Sequence, residues 1–248
     1  MAIGEDYLPV RKIGCLVPFS VIDTGPYEFY RIAPERVMRV MLPAGLAEFS
    51  SADVERVFQP LDKLTRQLCE RGVDIIVQMG VPLDLLLGRE ALARVIGRIE
   101  EIGHVPAVAE VHSVVQAARA LGIKKIVAAN KWNEVMNRRL AEFFAEGGIT
   151  QIGTQARSLV PAEFMKMSSD EGLSLAYGLG RMALNAYPEA EGLFLGGGAW
   201  LTLPVIIALE QKFGKPVITN QTAVVWDACR RVSYWQPKAG YGMLIALP

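Results

Sequence analysis

The feature that most constrains this chain is an internal repeat. Asp74-Ile75-Ile76-Val77-Gln78-Met79-Gly80 aligns with Glu191-Gly192-Leu193-Phe194-Leu195-Gly196-Gly197. Pro106-Ala107-Val108 aligns with Pro216-Val217-Ile218, Val114–Ala118 with Val224–Ala228, and Lys12-Ile13 with Lys125-Ile126. The offsets of 117, 110 and 113 residues describe two near-equal halves separated by small insertions. Each repeated unit opens on a short, β-branched apolar run. Such runs lie at 13–17, 73–79, 106–111, 125–129, 192–196 and 216–219, bounded by Gly, Pro or Lys. They read as strands buried on both faces of a parallel sheet.

Between the runs lie helical patterns at 53–72, 88–102, 112–121, 133–147, 169–186, 200–213 and 222–231, the first kinked at Pro60. Strand–helix alternation predicts an α/β fold, here two pseudo-symmetric Rossmann-like halves with right-handed crossovers. The predicted division is 1–118 with about 222–248 in one half and 119–221 in the other. In open α/β sheets ligands bind beyond the carboxyl ends of the strands. The two sets of strand ends therefore share one interdomain cleft, with Gly80 and Gly197 on opposite walls.

Composition narrows the partners. A chain of 248 residues, 51% hydrophobic, supports a large core without disulfides. Twenty-six basic side chains balance 26 acidic ones, which argues against a nucleic-acid partner. No apolar run approaches a membrane span. The segment MAIGEDYLPVRK carries acidic residues and lacks the apolar core of a signal peptide, so a cytoplasmic location is expected. Cys15, Cys69 and Cys229 are too few and too scattered for a disulfide framework or a zinc site, and they read as small buried apolar residues. No metal and no cofactor is expected; a homo-oligomer is left open.

Several residues should face the cleft. Gly196-Gly197-Gly198 follows a strand and precedes a helix, so its N–H groups suit a carboxylate or an oxyanion. It is neither a Walker loop nor a dinucleotide fingerprint, because no Gly-Lys-Ser/Thr follows and Leu201 takes the third glycine's place. Opposite it, Gly80 and Val81 would donate, while Pro82 cannot and suits a first helical turn. Glu110 and His112 end the strand at 106–110 and are candidate acid–base groups; the repeat pairs them with Asn220 and Thr222. Capping or solvent exposure is the common fate of such residues. Asn130-Lys131-Trp132 ends another strand. Trp132 could wall the pocket or pack between helices, and Lys131 could pair with a substrate carboxylate or extend into solvent. Ser20 and Tyr27, in the matching loop of the first half, are candidate hydrogen-bond donors.

The stretches IGCLVP (13–18), DIIVQMG (74–80), ALGIKKIVAANKW (120–132), GLFLGGGAWLTLPVIIALEQKFGKPVIT (192–219) and AVVWDA (223–228) together resemble the aspartate/glutamate racemase superfamily. Within it the sequence is nearest the arylmalonate decarboxylases and maleate isomerases. The resemblance implies two α/β halves with the site between them. In that superfamily racemases and isomerases carry a cysteine on each wall, falling here on Gly80 and Gly197. The decarboxylases have glycine at the first position and keep the second cysteine as proton donor. This chain has neither thiol. The decarboxylase's hydroxyl pair becomes Val81-Pro82, its pocket tyrosine becomes Trp132, and the isomerase's first-loop asparagine falls on or near Val21.

Two-base racemisation and thiolate addition both need the missing sulfur. Decarboxylation does not, provided an apolar pocket destabilises the leaving carboxylate and backbone donors at Gly197, Gly198 and Val81 hold the enediolate. The expectation is therefore a cofactor-independent lyase acting on a small carboxylic acid such as a substituted malonate, with Trp132 as an aromatic wall and His112 supplying the proton. The alternatives are a cis–trans isomerase, another lyase or a hydratase using His112 and Glu110, and a carboxylate-binding protein without catalysis.

Overall fold

A computed structural model of the chain describes residues 7–21 and 23–248. Ile22 and residues 1–6, half of the segment read for a leader, lie outside the described residues. The first sheet holds β1 (Arg11–Val17), β2 (Val37–Pro43), β3 (Ile75–Gln78) and β4 (Ala107–Ala109) in the order β2-β1-β3-β4. The second holds β5 (Lys125–Asn130), β6 (Thr150–Ala156), β7 (Gly192–Gly196) and β8 (Val217–Thr219) in the order β6-β5-β7-β8. All pairings are parallel and the two orders are identical, so the repeat seen in sequence is a repeat of topology. The central strands are apolar because helices cover both their faces: Ile75, Ile76 and Val77 in β3 and Leu193, Phe194 and Leu195 in β7 have no exposed surface.

Two strands escaped the sequence reading. Both β2 and β6 are sheet edges, only partly buried, and neither carries a continuous apolar run. The pattern expected to kink at Pro60 is instead two helices, α2 (Ser51–Phe58) and α3 (Leu61–Glu70), with Pro60 at the N-cap of the second. Three further helices are α1 (Thr24–Ile32), α4 (Val81–Leu87) and the single turn α8 (Pro161–Phe164). Pro26, Pro82 and Pro161 each lie in the first turn of one of these, where a missing N–H costs nothing. The remaining helices are α5 (Arg89–Gly103), α6 (Glu110–Ala120), α7 (Glu134–Glu146), α9 (Ser169–Ala186), α10 (Leu203–Phe213) and α11 (Asn220–Arg231).

Helices α6 and α11 follow the last strand of each sheet and pack against each other along the pseudo-two-fold. Ser113 Oγ on α6 donates to Asp227 Oδ2 on α11 at 2.8 Å in the buried seam. α11 also rests on α1 and β3, and α6 on α7 and β8, so these two helices tie the sheets together. One apolar cluster runs through both halves, from Ile13 and Val77 to Phe194 and Ile218. No described helix is long and apolar enough to cross a membrane.

Candidate active site

The carboxyl ends of β1, β3, β5 and β7 meet at a cavity of about 100 Å³ between the halves. Its apolar lining includes Phe19, Leu46, Phe49, Leu83, Trp132 and Phe164, and its polar lining includes Glu28, Arg39, Glu110, Lys131, Asn220 and Gln221. The volume suits a small acid rather than a nucleotide-sized ligand. Gly80, Gly197 and Gly198 all border it.

The two wall glycines occupy matched positions with positive φ, 104° at Gly80 and 136° at Gly197. Each carries an N–H that is already engaged. Glu110 Oε2, at the start of α6, accepts from Gly80 N at 2.7 Å and Val81 N at 2.9 Å. Its repeat partner Asn220, at the start of α11, accepts through Oδ1 from Gly197 N at 2.8 Å. A second carboxylate crosses the seam: Glu28 on α1 accepts from Thr202 N at 2.6 Å and Leu203 N at 2.8 Å, where α10 begins, and from Thr202 Oγ1 at 3.0 Å. Asp84 on α4 returns the favour to α6 by accepting from Val111 N at 3.0 Å.

This arrangement corrects the expected backbone cradle. The N–H groups of Val81 and Gly197 bond to the chain's own side chains, so they are not the free donors anticipated for an enediolate. Gly198 borders the cavity, and its carbonyl accepts from Thr24 Oγ1 at 2.9 Å, which ties the loop after β7 to α1. Burial pushes the carboxyls of Glu28 and Glu110 upward against those hydrogen bonds. Asp84, wholly enclosed, is pushed well above the usual carboxylate range, chiefly by burial.

The cation that matters is Lys131. At the end of β5 its side chain turns inward and is only 2% exposed. Its Nζ lies 4.0 Å from the centre of the Trp200 ring and 5.1 Å from that of Phe164, and donates to Ala199 O at 3.3 Å. Among the described residues no carboxylate is within ion-pair distance of it. Burial alone brings the ammonium down to about 7. A β-carbon placed on Gly197 would lie 3.2 Å from Lys131 Cε and 3.1 Å from Trp200 Nε1. Lysine and tryptophan thus crowd the place where a side chain at 197 would start.

Unpaired donors also gather here. Trp200 Nε1 and Gln221 Nε2 belong to cavity-lining residues, are buried, and have no hydrogen-bond partner among the described residues. Arg39 Nη1 donates to Gln221 Oε1 at 3.3 Å and so fixes that amide's orientation. A buried N–H without an acceptor costs about 1–3 kcal/mol, which an anionic ligand would relieve.

The other sequence candidates fall elsewhere. His112 does not line the cavity; it sits on α6 with its ring 5.9 Å from Phe143 of α7, and burial followed by the Arg231 charge lowers its basicity. Helical geometry separates it from Glu110: residues two apart point to different sides of a helix. Both an acid–base pair of Glu110 with His112 and proton delivery by His112 are thereby corrected. Asn130 is fully buried behind the wall, where its Oδ1 accepts from Trp132 N at 2.9 Å and its Nδ2 donates to Asn137 Oδ1 at 2.6 Å. It holds the Lys131-Trp132 turn and does not border the cavity. Ser20 and Tyr27 are exposed and absent from the lining, Tyr27 being covered by the Arg31 guanidinium at 3.7 Å. Val81 is buried behind Gly80. Glu110, Gly80, Gly197, Gly198 and Trp132 remain at the cavity. Lys131, for which the sequence left solvent and a substrate carboxylate both open, is buried at the cavity. Among the described residues no three His, Cys, Asp or Glu side chains cluster as a metal site.

Two parallel α/β halves with identical strand order enclose a small, donor-rich cavity at their seam, and that arrangement defines the class of fold. The chain belongs to the arylmalonate decarboxylase family, whose model matches residues 13–245. It is 27% identical over 233 residues to the arylmalonate decarboxylase of Bordetella bronchiseptica, covering 94% of this chain and 95% of that protein. Its structure superposes on a liganded Gly-to-Cys, Cys-to-Ser double mutant of arylmalonate decarboxylase with a TM-score of 0.84 and 25% identity, over 94% of this chain and 98% of the other. It shares its fold with the maleate isomerase Iso of Pseudomonas putida S16, at a TM-score of 0.83, 16% identity and 95% and 98% coverage. Membership groups the chain with arylmalonate decarboxylases, while the likeness to the maleate isomerase is one of fold.

Proposed function

We propose that this protein is a cofactor-independent decarboxylase of a small malonate-type acid, with Lys131 in the proton-delivering role. The observation that carries the reading is the Lys131 ammonium beside Gly197, buried and without an ion pair among the described residues, in a cavity also lined by the apolar Phe19, Leu46, Phe49 and Leu83. One carboxylate of the substrate takes the hydrogen bonds of Trp200 Nε1 and Gln221 Nε2, near the Arg39 and Lys131 charges. The other lies against Phe19, Leu46, Phe49 and Leu83, where it loses hydration and gains no counter-charge. Its C–C bond breaks, carbon dioxide departs, and the bonding pair moves into the retained carboxylate as an enediolate stabilised by those donors. The Lys131 ammonium then protonates the α-carbon and the amine recovers a proton from solvent. An acid near 7 suits this step, holding its proton at neutral pH without holding it tightly.

Glu110 and Glu28 serve indirectly. They occupy the N–H groups at the start of α4 and α10, so that an incoming anion is left to the Lys131 side of the cavity. The test is turnover of a panel of substituted malonates and of maleate, followed by mass spectrometry. Carbon dioxide release from a malonate supports the reading. Isomerisation of maleate with no malonate turnover replaces it with the isomerase alternative.

A further inference from the structure

Lys131 has a second chemistry available. A lysine that only binds an anion or gives up a proton functions as its ammonium; a neutral amine is also a nucleophile toward carbonyl carbon. The usual device for keeping a lysine charged is a carboxylate partner, and here none is within reach among the described residues. The side chain is instead enclosed by two aromatic faces, Trp200 and Phe164, with one backbone carbonyl at 3.3 Å. The same cavity offers a substrate carboxylate the unpaired Trp200 Nε1 and Gln221 Nε2, and holds a buried carboxyl, Glu110, on the opposite wall.

We propose that the cavity is also a Schiff-base site, in which Lys131 condenses with the ketone of a small β-keto acid and decarboxylates it through an enamine. This rests on the same acid-binding cleft as the malonate reading, but uses the deprotonated rather than the protonated lysine. Burial brings the amine near neutrality, so both forms are populated at the same pH. The Nζ lone pair attacks the ketone carbon, and the amine proton moves to the resulting alkoxide. The carbinolamine hydroxyl leaves as water with a proton from Glu110, giving a protonated imine. The bond to the carboxylate carbon breaks, carbon dioxide leaves, and the electron pair moves to nitrogen as an enamine. Solvent protonates the enamine carbon. Water then hydrolyses the iminium, which frees the product ketone and Lys131 and returns a proton to Glu110.

The experiment is reductive trapping on the full-length protein. Wild type is incubated with acetoacetate and sodium borohydride near pH 7.5, then digested and mapped by mass spectrometry. The expected result is a single isopropyl group on Lys131, formed faster than on surface lysines by at least about tenfold, since those stay almost wholly protonated. Lys131→Arg, which keeps the charge but cannot form an imine, is expected to show no such adduct, with a melting curve confirming that it folds. Labelling spread over surface lysines with Lys131 unmodified overturns the proposal, and this readout needs no variant. Malonate turnover is measured in parallel, so the two readings fail separately. Turnover without an adduct overturns the imine alone, and an adduct without malonate turnover overturns the malonate reading alone.

Discussion

Methionine at position 131 keeps most of lysine's length and removes its charge, and the size of the effect follows from the burial. The ammonium falls from the ordinary 10.5 to about 7 in the folded chain, and burial is the cause. At about 1.36 kcal/mol per unit, holding this residue inside at pH 7 costs the native state roughly 4 kcal/mol relative to a lysine left in water. The hydrogen bond to Ala199 O and the contacts with Trp200 and Phe164 return about 1–2 kcal/mol. Lys131→Met should therefore stabilise the protein by about 2–3 kcal/mol at pH 7, a rise in Tm of roughly 5–10 °C for a chain of this size. Decarboxylation should be lost. The sign of the pH dependence is fixed as well. Between about 7 and 10.5 the unfolded chain holds a proton on Lys131 that the folded chain lacks. Wild-type stability thus gains as pH rises through that window, and its deficit against the variant shrinks towards pH 10. Paired thermal and urea melts at pH 7 and about pH 9.5 read both quantities. A variant that melts below wild type at pH 7, or a gap that does not narrow with pH, refutes a desolvated ammonium.

Glu110→Ala leaves the N–H groups of Gly80 and Val81 without their acceptor and should cost about 2–4 kcal/mol in urea melts, whereas Glu110→Gln, which can still accept through its amide oxygen, should lose less than half as much. Gly197→Cys should not create a working thiol site. The φ of 136° and the contacts with Lys131 and Trp200 predict a loss of about 1–3 kcal/mol and no gain in turnover, checked by melting and by the malonate assay. His112→Ala should leave turnover within about twofold of wild type and cost about 1 kcal/mol of stability through its lost packing on Phe143. The kcat/KM for malonates should fall as pH rises through about 7, because the ammonium is the active form. The cavity's other ionisable groups are Asp23, Glu28, Glu110 and Arg39, and of these the carboxyls of Glu28 and Glu110, pushed upward by burial, would shape the acidic limb.

The repeat made the fold legible because it duplicates whole strand–helix units, and the buried central strands β1, β3, β5 and β7 advertise themselves as continuous apolar runs. Edge strands β2 and β6 do not, since most of their residues are only partly buried and polar side chains such as Arg39, Gln151 and Gln155 interrupt them. The matched glycines border the cavity. Their donors were misread because a sequence does not say which side chain will cap which helix: Glu110 and Asn220 lie 30 and 23 residues from the N–H groups they accept. The repeat did pair those two residues, which was the one available hint of a shared capping role. The burial of Lys131 is hidden in the sequence for a similar reason. Its strand position predicts that it reaches the cleft, yet lysines are mostly exposed, and only the enclosing Trp200 and Phe164, far along the chain, make this one buried.

The most direct test of the central claim is a single-turnover comparison of wild type and Lys131→Met on a substituted malonate in deuterated buffer, read by mass spectrometry. The account predicts that wild type releases carbon dioxide and yields a mono-acid with one deuterium at the α-carbon, while the folded and more stable Lys131→Met variant gives none. Equal turnover by the two proteins would contradict it, as would a wild type that is stabilised by the malonate in a melt yet never releases carbon dioxide.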